Sequence, residues 1–278
     1  MKISFINSGD FDKNSIPQIL YKYRNWNDEF DEKVLRNSEL YFAPFKSFGY
    51  NSHEFEFEYD EELINDEELY KFFYDDAEKN QGITSPTIKH LYAIDWMKNT
   101  LFKNKIHRKK IINEHLDLLN ENNGILSLTF DRDNHRLWKD FANDYSGYSV
   151  GVDKDFMFKN GIIDCIAGYV EYYKLEEKPK LLPPLSAENR AQNIFTRIFH
   201  LPDKFKNEEE YRLSKWVKGK NRTYPIEPEL FKEIILGYKM CPENKEEIIQ
   251  IAEINYPNTL ILEQVYDGNS FDYKRISR

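Results

Sequence analysis

The sequence predicts an α+β protein: one domain over residues 1–278 whose strands form the core, with a helical insertion over about residues 59–122. Three observations carry that expectation. Short runs rich in aromatic and β-branched residues, among them "ILYKYR", "GILSLTF", "GYSVGVD" and "EIILG", lie on both sides of the insertion. Between Tyr59 and Asn122 the apolar residues instead recur at helical spacing. A length of 278 residues, 40% hydrophobic and 15% aromatic, suffices to bury a full core.

The elements follow in order. "IPQILYKYRNW" predicts a strand from Gln18 to Arg24 after Pro17, and "NDEFDEKVLRNS" has the cap and acidic first turn of a short helix. "ELYFAPF" reads as a second strand. At least two helices fill the insertion, with Ser85 and Pro86 marking a start and Gly124 a stop. "GILSLTF" is a buried strand and "GYSVGVD" an alternating one. Between them "HRLWKDFANDY" reads as a helix, with Trp138, Phe141 and Tyr145 as a core-facing stripe. "GIIDCIAGYVEYY" gives one or two strands; Pro183 and Pro184 then break the chain before a helix capped by Ser186. "EEYRLSKWV" is a strand with Tyr211, Leu213 and the Lys215 stem on one face. "FKEIILG", the helix "CPENKEEIIQIAEIN" and the strands "TLILEQVYD" and "SFDYKRIS" finish the chain. There is no internal repeat.

A net charge of -9 with 39 Lys and Arg leaves both signs abundant, which does not advertise a nucleic-acid protein. The first residues lack an apolar run long enough for a signal peptide, and no stretch approaches the roughly 20 apolar residues of a membrane helix. With only Cys165 and Cys241, the expected setting is a reducing cytoplasm, away from membranes. The six histidines form no HExxH and the cysteines lie far apart, so no metal site is expected. Walker, GxGxxG and GxSxG motifs are absent, which disfavours common ATPases, Rossmann dehydrogenases and α/β-hydrolases.

Three places could carry chemistry. In "NEEEYRL", Glu208 and Glu210 share one face if the run is a strand, and two partly desolvated carboxylates raise each other's pKa. The plainer alternative is a solvated turn. Arg24 ends the first strand among the aromatics of "YKYRNW", where its fork suits a phosphate or carboxylate and the rings a flat base; a strand-end arginine reaching to solvent is the alternative. Ser127 and Thr129 share one face of "GILSLTF", facing either a cleft or structural partners.

The order of the segments "LYKYRNW", "LYFAPFKSFGYN", "GILSLTFDRDNHRLWKDFANDYSGYSVGVD" and "EEEYRL" followed by "EIILG" resembles a bacterial family known as domain of unknown function 2971. The central segment, with Leu137, Trp138, Tyr145 and Gly147, is the most specific. That family typically has an Asn-Asp-Pro-Phe-acid turn after its second strand, whereas "YNSHEFEF" keeps Asn51 and Phe55 without the Asp-Pro pair. The family in turn looks like a remote relative of ADP-ribosyltransferases, whose plan is an Arg or His on the first strand, a Ser-x-Ser/Thr strand and a late Glu-x-Glu strand. Arg24, Ser127-x-Thr129 and Glu208-x-Glu210 occur in that order.

The resemblance implies an ADP-ribosyltransferase-like mixed or antiparallel sheet core and NAD as substrate, in a bacterial toxin-like or phage-defence effector. Glu210 would stabilise the oxocarbenium-like state, Glu208 would position or activate the acceptor, and Arg24 would orient the dinucleotide. Tyr21, Lys22, Tyr23, Ser127, Thr129, Trp138 and Tyr145 would complete the NAD pocket. The acceptor, whether protein, nucleic acid, small molecule or water, stays open. Two other classes also stay open: a metal-dependent nuclease built on Glu208, Glu210 and Asp131, with Lys215 rather far along its strand, and a non-catalytic interaction module presenting exposed aromatics.

Overall fold

The computed structural model describes residues 17–48, 56–159, 166–217 and 221–276. Thirteen strands appear among them: β1 Ile19–Arg24, β2 Glu39–Tyr41, β3 Ala43–Pro44, β4 Asn123–Thr129, β5 Tyr148–Asp153, β6 Ile166–Tyr169, β7 Glu171–Tyr173, β8 His200–Pro202, β9 Glu210–Trp216, β10 Thr223–Pro225, β11 Phe231–Leu236, β12 Leu260–Tyr266 and β13 Phe271–Arg275. The helices are α1 Lys33–Arg36, α2 Asp66–Lys79, α3 Pro86–Asn99, α4 Lys105–Asn122, α5 His135–Asp140, α6 Lys154–Lys159, α7 Ala187–Phe199 and α8 Pro242–Asn255. The protein is thus α+β, built on a large, mostly antiparallel mixed sheet.

That sheet runs β13, β12, β11, β5, β1, β4, β9, β6, with β3 also on β4. Within it only β11 and β12 are parallel. Two small sheets, β2 with β10 and β7 with β8, flank it. Alternation divides the core. Leu20, Leu126, Leu128, Val150, Tyr211, Leu213 and Ile234 pack with α1 and α8 residues such as Leu35, Ile248 and Ala252, each fully buried aliphatic side chain contributing roughly 1.5–3 kcal/mol. Tyr21, Tyr23, Ile235 and Leu262 join Trp138 in a second cluster, and Ile125 joins Ile198 and Phe199 in a third. Every residue of β5 is buried, unlike the alternating strand expected, because β1 and β11 flank it and both sheet faces are covered.

The segment from 59 to 122 holds α2, α3 and α4, three helices where at least two were expected. Phe57, Tyr59, Leu69, Phe102 and Ile112 form a cluster there with Tyr173 and Leu181. The helix α4 gives way to β4 at Asn123 rather than at Gly124. "ELYFAPF" is split between β2 and β3, which pair with different partners, β10 and β4. Asn51, His53, Phe55 and Cys165 lie outside the described residues, while Cys241 is exposed and free. No helix among the described residues is long and apolar enough to cross a membrane.

The expected helix from His135 to Tyr145 is the largest local departure. α5 stops at Asp140, and Asn143, Asp144 and Tyr145 follow with φ of 47°, 50° and 68°. Three successive left-handed residues with side chains are costly, and tertiary contacts hold them: Tyr145 O accepts from Lys239 N, and Gly147 O from Gly237 N. The stripe therefore breaks. Trp138 is wholly buried whereas Phe141 is 50% exposed.

Candidate active site

The three motif strands are neighbours. β1, β4 and β9 lie side by side, and the register puts Thr129 opposite both Tyr21 and Glu210, with Ser127 opposite Arg212. Residues directly opposite in an antiparallel pair share a face, so Tyr21, Thr129 and Glu210 form a row across the sheet. Chain order alone implied no such row.

The pairing of β1 with β4 is confined to Tyr21 and Thr129. Beyond that point the strands part, and β3 takes the β4 edge at Ile125 and Gly124. A cavity of about 370 Å³ opens at this parting, lined by Tyr21, Lys22, Tyr23, Arg24, Ser127, Thr129, Glu208, Glu210 and Arg212, with Phe48, Leu137, Phe141, Leu201 and Phe205 as apolar wall. Alternation alone would send Lys22 and Arg24 to the face opposite Tyr21 and Tyr23. The parting lets both faces of β1 line one space.

Glu208 and Glu210 reach the cavity by a route other than the expected strand face. Glu208 ends a 3₁₀ turn, Asp203–Glu208; Glu209 is left-handed at φ 45°; β9 begins only at Glu210. The Glu209 kink turns the chain between the two carboxylates, and both line the cavity nonetheless. Burial raises the Glu208 pKa above the usual carboxylate range, the neighbouring Glu210 charge adds to this, and Arg136, 3.4 Å away, opposes it.

Glu210 is 4% exposed and held by Arg212 through two bonds, Nε to Oε1 at 2.7 Å and Nη2 to Oε2 at 2.9 Å. Arg212 is itself anchored, donating through Nη1 to Ile198 O at 2.6 Å and lying 5.0 Å from the Phe48 ring centre. The backbone N of Glu210 donates to the Tyr172 hydroxyl. This carboxylate is fixed in place by the fork of a guanidinium.

The cations of β1 differ. Arg24 sits 3.2 Å from Asp31 and makes no side-chain hydrogen bond among the described residues, with its Nε buried and unbonded. Lys22 has no hydrogen-bond or ion-pair partner among them either. Burial lowers its pKa to about 7, Arg24 adds to the effect, and Glu210, Asp31 and Glu208 partly offset it. Unfolded, this lysine holds its proton to near 10.5, so between about 7 and that value the unfolded chain binds more protons and stability rises with pH. Lys22→Met is therefore expected to be more stable than wild type at pH 7, with the advantage shrinking toward pH 10; urea midpoints at the two pH values read it, and a pH-independent difference refutes it.

Tyr21 connects the site to a buried acid. Its hydroxyl donates to Glu233, which is 5% exposed, across Gly151; a Cβ at Gly151 would stand 2.7 Å from the Glu233 side chain. Burial raises the Tyr21 pKa, with Glu233 reinforcing it. Tyr21→Phe would leave Glu233 without that donor, and a loss of about 2 kcal/mol in urea unfolding is expected. The Tyr23 hydroxyl donates to Asp131 O and Thr129 Oγ1 accepts from Asp131 N at 3.2 Å, so Ser127 offers the less committed hydroxyl.

Comparison of the chain with protein-family models, curated proteins and solved structures finds no match. The site therefore stands on its own geometry. Trp138 and Tyr145, expected in the pocket, do not line it. Trp138 lies behind Tyr23, edge-on at 5.1 Å between centres, with its Nε1 donating to Arg132 O, and Tyr145 stacks on Trp138 at 6.2 Å. They support the wall from behind. Asp131 does not line the cavity with Glu208 and Glu210, and no group of three possible metal ligands occurs among the described residues. Lys215 lies over the Tyr224 ring at 3.7 Å. Sequence reasoning missed Arg212, Arg136 and Tyr172, although Arg212 follows Glu210 by two residues and so shares its face.

Proposed function

We propose that this chain uses NAD as a substrate, as an ADP-ribosyltransferase or NAD glycohydrolase, and serves as a toxin-like or phage-defence effector of the kind its resemblance implies. One observation carries the reading: Arg24, Ser127, Thr129, Glu208 and Glu210, far apart in sequence, line a single cavity where β1 and β4 part. Its volume of about 370 Å³ falls in the usual range of small-molecule sites, roughly 300–1,000 Å³.

The residues fit the chemistry. Breaking the nicotinamide–ribose bond sends its electron pair to the ring nitrogen, releases neutral nicotinamide and leaves positive charge on the ribose. Glu210, immobilised by Arg212, stabilises that charge more in the transition state than in the ground state. Glu208, with its raised pKa, is suited to take the proton of the incoming water or acceptor hydroxyl as the new bond forms. Arg24 supplies positive charge for the pyrophosphate with Lys22 beside it as a further hydrogen-bond donor, and Ser127 and the parted strand edges offer hydrogen bonds to the carboxamide.

The test is incubation of the purified protein with NAD and cell lysate, following free nicotinamide. Release is expected, and transfer of labelled ADP-ribose to a lysate component would separate transferase from glycohydrolase. No release from protein with native near-UV circular dichroism would overturn the reading and favour a binding module.

A further inference from the structure

Of the three arginines that are less than a tenth exposed among the described residues, two are well bonded. Arg108 donates to Phe102 O, Lys103 O and Glu61, and Arg212 to Glu210 and Ile198 O. Arg197 in the last turn of α7 is the exception. It is 2% exposed, yet its guanidinium makes no hydrogen bond or ion pair with any described residue, and its Nη1 is fully enclosed. The hydroxyl of Tyr59, 3% exposed, is also buried and has no hydrogen-bond partner among the described residues. Two such groups together are among the costliest things a core can hold unless something pairs with them.

Both line a cavity of about 200 Å³ between α4 and α7, together with Arg190, His115, Ile194 and Trp216. No Asp or Glu among the described residues lines it. Burial lowers the Arg197 pKa to about 10, still leaving it charged at neutral pH. Burial also lowers the His115 pKa, and the Arg197 and Arg190 charges add to this while Glu114 partly opposes it, as expected where positive groups converge. Trp216, 62% exposed, forms a flat apolar lip. It ends the strand that Glu210 begins, six residues away, so the cavity lies about 20 Å along β9 from the candidate active site.

We propose that this cavity is a second binding site, for the phosphate group of a small molecule. Two guanidiniums and an imidazole supply donors around a space without acids, which suits a tetrahedral dianion better than a single carboxylate. The Tyr59 hydroxyl donates to one oxygen, Arg197 grips from beneath, and Arg190 closes from the exposed side of α7. The inference is independent of NAD chemistry at the parted strands.

Isothermal titration of the full chain with inorganic phosphate and with phenyl phosphate, in chloride-matched buffer, tests it. Wild type is expected to bind at least one of them, and Arg197→Met to weaken binding at least tenfold. Arg190→Gln, on an exposed helix face, should weaken it several-fold with the fold intact, and Tyr59→Phe by a similar factor. Phenyl phosphate binding tenfold tighter than phosphate supports an organic phosphate over Trp216; equal binding supports the free anion. No heat from wild type at millimolar probe, equal binding by Arg190→Gln and Arg197→Met, or acetate binding as tightly as phosphate would each overturn the proposal.

Discussion

Glu210→Gln is expected to lower nicotinamide release about 10²–10³-fold, the usual loss when one preorganised electrostatic group is removed from a transition state. The Arg212 pair adds a second effect, on the fold. Glutamine keeps the shape of the side chain but not its charge, and Arg212, 1% exposed, then faces a neutral amide. Breaking a buried pair from one side costs about 3–5 kcal/mol, so the variant should also unfold at markedly lower urea. The two effects are separable. Glu210→Leu combined with Arg212→Met removes both charges and is expected to recover much of the lost stability, since apolar replacement of a buried pair is often neutral or better. It should recover no turnover. Turnover restored along with stability in the double variant would mean that Glu210 acts only through folding.

How much of this was legible follows from the kind of signal each feature leaves. The α+β class was legible because strand and helix periodicities differ within a few residues, as in "GILSLTF" against α2. The order of Arg24, Ser127, Thr129 and Glu210 was legible too. Their meeting was not, because it depends on β1 touching β4 only at Tyr21 and Thr129 and on β3 taking the rest of that edge, and register between distant strands leaves no local trace. Trp138 and Tyr145 looked like pocket aromatics, yet only the packing of Tyr23 decides that they sit behind the wall. Two features did leave local signals. The Asn143-Asp144 pair tolerates left-handed backbone and so marked the helix end, and Arg212 lies two residues past Glu210 on the same face. Arg197 left none, since an arginine in a helix is ordinary until its neighbours are known.

Gly147→Ala is expected to destabilise the protein by about 4 kcal/mol or more, the range reserved for changes that the surroundings cannot absorb. A Cβ at this position would stand 2.2 Å from Arg24 O and 2.9 Å from Ala142 O. Both are backbone atoms in fixed pairings: Arg24 is opposite Tyr148 at the end of β1, and Ala142 O accepts from Gly147 N at 2.8 Å. Neither can yield by rotating a side chain. Gly147 O also accepts from Gly237 N, and a Cβ at Gly237 would meet Tyr145 O at 2.1 Å, so the left-handed turn at 143–145 is clamped between two glycines. Pushing Gly147 outward would strain that turn further or draw Arg24 away from the cavity it lines. Gly82→Ala is the control: it sits at φ +67° with nothing within 4 Å of the added carbon, so it should cost only the left-handed penalty of about 1–2 kcal/mol. Urea unfolding with an unchanged slope reads both. Equal losses at the two glycines would show that the close approach of Gly147 to β1 relaxes at little cost, since Gly147, unlike Gly82, has no left-handed φ.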